Sequence, residues 1–208
     1  MSQSSNKILK IYKSRRNILE LLKTLDYTVS DYDEFSINEI DAMVSNDQLD
    51  MLITNSENKK IYIKYLSNVK SVRKENLDTL IEDLYVLESV LTKSDILMII
   101  VNEEPNDTIV DKIKYIYDHD GIFIVMHNIE RLQFNILNHD LIPKPTILDD
   151  KGIEDLLLKY NLKSKSLLPD ISRFDPLALA ICLKPGDVVE LERKSHTALD
   201  YLYYRVCI

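Results

Sequence analysis

The uninterrupted apolar stretch Ile96–Val101 is far too short to cross a membrane and has the length of one buried strand. Apolar residues at helical spacing occur before this stretch, in Glu75–Leu91, and after it, in Asp107–His119. Gly121 stands where a glycine would end the second of these helices. Strands that alternate with helices predict an α/β layer around a partly parallel sheet.

Periodicity and capping residues predict the other elements of the first two thirds of the chain. Apolar residues at helical spacing indicate a helix over Lys7–Tyr27, with Lys10, Lys13 and Arg16 broadly on its other side. Ser36 and Glu39 have the spacing of a capping box and predict a short helix near Ile37–Val44. Short alternating or apolar segments predict further strands at Leu49–Thr54, Lys60–Tyr65 and Ile122–Met126. The helix Glu75–Leu91 is expected to bury one stripe: Leu77, Leu80, Ile81, Leu84, Leu87 and Leu91.

Two closely spaced prolines, Pro143 and Pro145, mark the best domain boundary, because proline stops both helix and strand and restricts the residue before it. We therefore expect a domain over 1–142 with a mixed sheet and a small α+β domain over 143–208, an α/β (α+β overall) protein. In the second domain Asp149 or Asp150 can cap a helix over Ile153–Tyr160. Lys184–Asp187 reads as a turn, and Val188–Arg193 and Tyr201–Ile208 as an antiparallel strand pair.

The charge distribution argues against autonomous binding to nucleic acid. The chain of 208 residues has a formal net charge of −8, whereas affinity for DNA comes mainly from Lys and Arg that neutralise phosphates. Basic residues nevertheless cluster in residues 1–23 and 59–74, on an otherwise acidic first domain. Such clusters are most often solvated surface.

Few chemical sites are expected. Cys182 and Cys207 form no metal-type pair and suggest a reducing compartment, with both thiols packed as small buried hydrophobes. The histidines lack zinc spacing, so His139 is expected to be a linker or packing residue and His119, His127 and His196 to lie on the surface. No cofactor, metal, small molecule, membrane span, signal peptide or catalytic residue is predicted.

A series of ordered motifs occupies the last third of the chain. They are Asn135–Pro143, Leu168–Ile171, Asp175–Ala178, Lys184–Val189, Arg193–Ala198 and Tyr204-Arg205. Their order and spacing resemble the C-terminal domain of the fifth subunit shared by eukaryotic RNA polymerases, a domain that archaeal polymerases have as a separate small subunit. The first 142 residues are similar to that family's jaw domain only in outline.

The resemblance implies a non-catalytic subunit of a multi-subunit DNA-dependent RNA polymerase. It implies docking on the largest subunit through Leu168, Pro169, Asp175, Pro176, Arg193, Ser195, Thr197, Ala198, Tyr204 and Arg205. It also implies that the first domain lies beside downstream DNA, with phosphates near Lys10, Lys13, Arg16, Lys60, Lys64, Lys70, Arg73 and Lys74. The compartment would be the nucleus for a cellular protein, or virion and host cytoplasm for a large DNA virus.

Three positions depart from the family's pattern. Pro145 replaces a frequent histidine, and Cys182 and Leu199 replace glycines. These changes question whether the local backbone keeps its shape there. Separately, Arg193–Ala198 lacks the Asn-Gly type of hairpin turn, so we expect it to be a polar loop that contacts a partner.

Two other functions remain open from the residues alone. Asp50 on one strand and Lys64 on the next have the spacing of a restriction-type nuclease, although Tyr62 stands where the second Mg²⁺-binding carboxylate should be. A Mg²⁺-dependent cleavage assay with Asp50→Ala would identify such a degenerate nuclease. A free DNA-binding adaptor would instead give a tight, salt-sensitive gel shift.

Overall fold

A computed structural model of the chain describes residues 3–66, 72–195 and 199–208. The chain falls into two compact units, Met1–Asn135 and Ile136–Ile208. Each unit contains helices and one four-stranded sheet, so the expected α+β class is confirmed. The predicted boundary between residues 142 and 143 stays a prediction. Within the described residues, no helix is long and apolar enough to cross a membrane.

The first unit is built on a mixed sheet with the strand order β1-β2-β3-β4. Its strands are β1 (Met51–Thr54), β2 (Lys60–Tyr65), β3 (Ile96–Val101) and β4 (Phe123–Asn128). β1 and β2 are antiparallel, whereas β2, β3 and β4 are parallel, which confirms the partly parallel sheet. All six residues of β3 are buried, as the apolar run predicted. Tyr32 covers the edge of β1, because its hydroxyl bonds both the backbone N–H and the carbonyl of Leu52 at 3.3 Å.

Capping residues predicted the start of one helix and the end of another in the first unit. Its helices are α1 (Gln3–Thr24), α2 (Ile37–Ser45), α3 (Lys74–Ile81) and α4 (Asp107–Asp120). Ser36 and Glu39 form the predicted capping box of α2. Gly121 ends α4 with a left-handed φ of 71°. The predicted inner face of α4, Ile109, Ile113 and Ile116, is buried.

The predicted helix Glu75–Leu91 is shorter and less regular than expected. After α3 the chain widens into one π-helical segment, Glu82–Leu87, and helical structure then ends. A π-helical turn contains more residues than an α-helical turn. The side chains that follow it therefore no longer fall on the stripe that a period of 3.6 residues defines. Leu77 and Leu84 are buried, but Leu87, predicted on the same stripe, is 70% exposed.

The second unit surrounds a sheet with the strand order β5-β7-β8-β6. Its strands are β5 (Lys144–Ile147), β6 (Asp170–Ile171), β7 (Val188–Ser195) and β8 (Leu199–Cys207), and its helices are α5 (Asp150–Lys159) and α6 (Pro176–Ala180). The predicted antiparallel pair β7–β8 is confirmed, and β6 adds a parallel edge. Leu156 of α5 packs with Leu168, Val188 and Val206 in a core. Asp149 caps α5 through a bond from the Gly152 N–H.

Two expectations about this unit were wrong. Pro145 does not stop strand structure but lies inside β5, paired with Leu191. The Leu148 N–H donates to the Val188 carbonyl on β7. Because successive backbone N–H groups of a strand point to opposite sides, the backbone nitrogens of Ile147 and Pro145 face away from β7. A proline there loses no ladder bond, because β5 is an edge strand. Arg193, Lys194 and Ser195 form no loop either: they extend β7 opposite Tyr201, Asp200 and Leu199.

Candidate functional site

The two proline motifs of the second unit build its local backbone. Leu168 is buried in the core, and the Pro169 carbonyl accepts a hydrogen bond from the Val206 N–H. Asp175 caps α6 by accepting from the Leu177 N–H at 2.9 Å, and Pro176 begins the helix. Leu168 and Asp175 therefore have internal roles, while Pro169 and Pro176 stay exposed at the surface.

The end of the β7–β8 pair carries the exposed part of the predicted partner site. Arg193 is exposed on β7 and lies opposite Tyr201. With Lys194 and Asp200 it lines a cleft of about 750 Å³, whose other wall is the segment 137–144. Thr197 and Ala198 lie outside the described residues, as does the side chain of Ser195.

Tyr204 and Arg205 are engaged within the unit. Tyr204 packs against the core and meets Tyr160 edge-on, with ring centroids 5.9 Å apart. Burial, together with a hydrogen bond to Glu190, raises the pKa of Tyr204 to about 12. Arg205 donates from Nε to the Tyr203 hydroxyl and from Nη1 to the Asp170 carbonyl, both at 2.8 Å. Arg205 thereby ties β8 to β6.

The two positions where the family has glycine keep a glycine-like backbone. Cys182 and Leu199 both have a φ of 52°, in the left-handed region that disfavours residues with a Cβ. Both positions therefore have a backbone conformation that glycine would adopt without strain. Cys182 and Cys207 are free and buried, as predicted, and burial raises the pKa values of their thiols to about 12 and about 11.

The predicted DNA-proximal bases differ in how freely they face solvent. Lys10 pairs with Glu130, Lys60 donates to the Val90 carbonyl at 3.2 Å, and Lys64 pairs with Asp50 at 2.5 Å. The other described members are exposed without an ion pair among the described residues: Lys13, Arg16, Arg73 and Lys74. Lys70 lies outside the described residues.

The residues of the nuclease alternative do meet in space. Asp50 Oδ2 accepts from the Lys64 ammonium and, at 3.0 Å, from the Tyr62 hydroxyl. Burial and the neighbouring Asp50 carboxylate hold the pKa of Tyr62 well above its usual value. Among the described residues, no three His, Cys, Asp or Glu side chains cluster as metal ligands would. The arrangement is a lysine–carboxylate pair with a tyrosine in the second ligand's place.

One buried polar residue was missed and another was misjudged. Arg15 of α1 is 2% exposed, donates to the Leu49 carbonyl at 3.0 Å and lies over the rings of Tyr32 and Phe35. Arg15 lies four residues after Ile11, on the same face of the helix as the apolar residues, and this spacing could have predicted its burial. The expectation that His127 is a surface residue was wrong, because β4 buries it. Asp95, immediately before β3, is also buried.

The comparisons with known proteins concern the second unit. The family described as RNA polymerase Rpb5, C-terminal domain, matches residues 134–207. The DNA-directed RNA polymerase subunit Rpo5 of Thermococcus onnurineus is 46% identical over 76 residues, 36% of this chain and 92% of that protein. The Rpo5 subunits of Methanococcoides burtonii and Archaeoglobus fulgidus are 43% and 38% identical, over 36% and 37% of this chain and 96% and 100% of their own lengths.

This chain belongs to the RNA polymerase Rpb5 family. The Rpb5 match includes every motif from Asn135 to Arg205 on which the resemblance rests, and it confirms that resemblance. It corresponds closely to the unit Ile136–Ile208, in which these motifs cap a helix, support β6 and form the β7–β8 pair.

Proposed function

We propose that this chain is a non-catalytic subunit of a multi-subunit DNA-directed RNA polymerase. The observation that carries the proposal is the family match over residues 134–207, together with 38–46% identity to archaeal Rpo5 subunits over nearly their whole length. In this proposal, phosphodiester synthesis belongs to other subunits. The chain works where its polymerase works, in the nucleus of a cell or, for a large DNA virus, in virion and host cytoplasm.

We further propose that the second unit docks on the largest polymerase subunit. Side chains with internal roles, such as Leu168, Asp175 and Arg205, would shape this surface. Arg193 and the rings of Pro169 and Pro176 would contact the partner, because they remain exposed. A face of about 800 Å² per partner is sufficient for a stable interface. The cleft beside Arg193 offers mixed charge and apolar lining of the kind that such interfaces bury.

Co-purification tests the docking proposal. The tagged full-length chain is co-expressed with the other polymerase subunits, and the amount of largest subunit that it retains is measured. We expect Arg193→Ala with Thr197→Ala to reduce retention about tenfold, the effect of losing about 1.4 kcal/mol at an interface. Lys163→Ala with Ser166→Ala, a similar pair of exposed changes in the same unit, serves as the control. Equal retention by both double variants contradicts the assignment of Arg193 and Thr197.

A degenerate nuclease is the second candidate, favoured by the contact between Asp50 and Lys64 in the first unit. A catalytic Mg²⁺ in such enzymes needs more than one carboxylate, and Tyr62 occupies the second position. We therefore expect no Mg²⁺-dependent DNA cleavage by the purified chain. Cleavage that disappears in Asp50→Ala would establish the nuclease instead.

A further inference from the structure

The sheet of the second unit has one edge that the chain protects and one that it leaves open. On the protected side, β5 presents Lys144 and Pro145, residues that discourage pairing with another strand. On the other side, β6 is only two residues long and pairs with β8 at Val206 and Cys207 alone. The rest of β8, from Leu199 to Arg205, has no neighbouring strand on that side among the described residues.

Alternation identifies which backbone groups face the open side. The Val206 N–H bonds the Pro169 carbonyl on the β6 side, whereas the Cys207 N–H bonds the Asp187 carbonyl on the β7 side. Because the backbone alternates with a period of two, the N–H and carbonyl groups of Asp200, Leu202 and Tyr204 point away from β7. No backbone partner for them exists in the described parts of the chain.

We propose that this open edge of β8, the window from Asp200 to Tyr204, receives an extended strand of another polymerase subunit. The inference rests on the proposed function, and it specifies how this chain and the other subunit would recognise each other. Strand addition satisfies alternate N–H and carbonyl groups by main-chain hydrogen bonds, and side chains next to the strand give specificity. Leu202 is 46% exposed in the middle of the window and takes an aliphatic neighbour. Asp200, also exposed, takes a lysine or arginine.

A second copy of this chain fits the window poorly. An antiparallel pair of two β8 strands centred on Leu202 would set Asp200 of one copy opposite Tyr204 of the other, so neither carboxylate would meet a basic side chain. A segment of a different subunit can place a lysine or arginine opposite Asp200.

Hydrogen exchange of the unaltered chain gives the direct test. Amide exchange is compared between the free full-length chain and the chain within the assembled polymerase. We expect the amides of Asp200, Leu202 and Tyr204 to become at least about tenfold slower on assembly, because each gains a hydrogen bond. If the chain is retained by the polymerase and these amides exchange as fast as before, the strand-addition proposal is overturned while the proposed function stands.

A matched pair of proline variants tests the same point by affinity. Leu202→Pro removes an outward N–H from β8, and Ile147→Pro removes an outward N–H from β5, where the side chain is 41% exposed. We expect Leu202→Pro to lower retention by the polymerase about tenfold and Ile147→Pro to leave it unchanged. Equal retention of both overturns the proposal.

Two further outcomes separate the alternatives. If the unaltered chain is not retained by any polymerase subunit, the proposed function fails, and strand addition fails with it. If the isolated chain sediments as a dimer whose window amides are already protected, the occupant is a second copy, which overturns the proposal for a different subunit. Should Leu202→Pro fail to fold by circular dichroism, the exchange experiment on the unaltered chain decides.

Discussion

Single backbone positions show that this chain holds a left-handed backbone at residues other than glycine. Leu199 is 80% exposed and has a φ of 52°, so its side chain contributes little packing while its backbone is strained. Leu199→Gly removes that strain. We expect the C-terminal unit to become more stable by about 0.5–1 kcal/mol, measured by native-state hydrogen exchange of β7 amides.

The control for this change is the same substitution at Leu202, in the middle of β8. Glycine in a strand interior loses conformational entropy on folding and packs nothing, so Leu202→Gly should destabilise the unit. Cys182→Gly should gain less than Leu199→Gly, because it also removes a buried thiol. Loss of stability in Leu199→Gly would show that its left-handed backbone carries no strain.

At the scale of elements, one buried carboxylate joins the beginnings of two strands. Asp95, just before β3, accepts from the Lys60 N–H of β2 and from both the N–H and hydroxyl of Thr92, each at 2.7 Å. Asp95→Asn replaces a charged acceptor by a neutral amide and leaves part of this network unpaired. We expect a loss of about 2 kcal/mol in the unfolding free energy of the first unit. Asp120→Asn, at an exposed position, should cost little.

The effect of Asp95 should depend on pH. Burial opposes ionisation, but the hydrogen bonds from Lys60 and Thr92 outweigh it and hold the pKa below the ordinary 3.8. The unfolded carboxyl therefore binds a proton at a higher pH than the folded one. The stabilisation is fully present above about 3.8 and is lost as the pH falls through the folded pKa. The unfolding free energies of the unaltered chain and of Asp95→Asn can be measured by chemical denaturation. The difference between them should be smaller at about pH 2.5 than at about pH 7.

Local signals account for what the sequence predicted at this scale. The capping box of Ser36, the glycine stop at Gly121 and the inner face of α4 each depend on residues within one or two helical turns. The errors depend on distant pairing. Pro145 belongs to a strand because β7 lies on one side of it alone, and Arg193 belongs to a strand because Tyr201 lies opposite.

The candidate site follows the same division. Motif order predicted the family, and the cap that Asp175 provides for α6 likewise depends on neighbouring residues alone. Sequence could not predict that Arg205 donates to the Asp170 carbonyl, since that contact depends on the pairing of β6 with β8. The contact between Lys64 and Asp50 could be predicted, by contrast, because the two residues lie in neighbouring predicted strands joined by a short turn.

For the whole molecule, the distribution of charge bears on the expectation that the first unit lies beside DNA. A net charge of −8 opposes binding by the isolated chain, so any contact must be held in place by the assembly. Within the first unit, Lys13 and Arg16 are exposed one turn apart on α1 without a carboxylate partner among the described residues. Lys10 and Lys64 already have carboxylate partners. The former pair is thus the better candidate for phosphate contacts.

Charge reversal in the assembled polymerase tests this assignment. We expect Lys13→Glu with Arg16→Glu to weaken binding to downstream DNA, because it removes two bases that would neutralise phosphates. The slope of log K against log salt concentration should become shallower by about 0.9 for each phosphate that is no longer neutralised. Lys151→Glu with Lys163→Glu changes the net charge equally on the second unit and controls for long-range repulsion. A slope that moves equally in both variants would mean that net charge, and not contact by α1, governs the interaction with DNA.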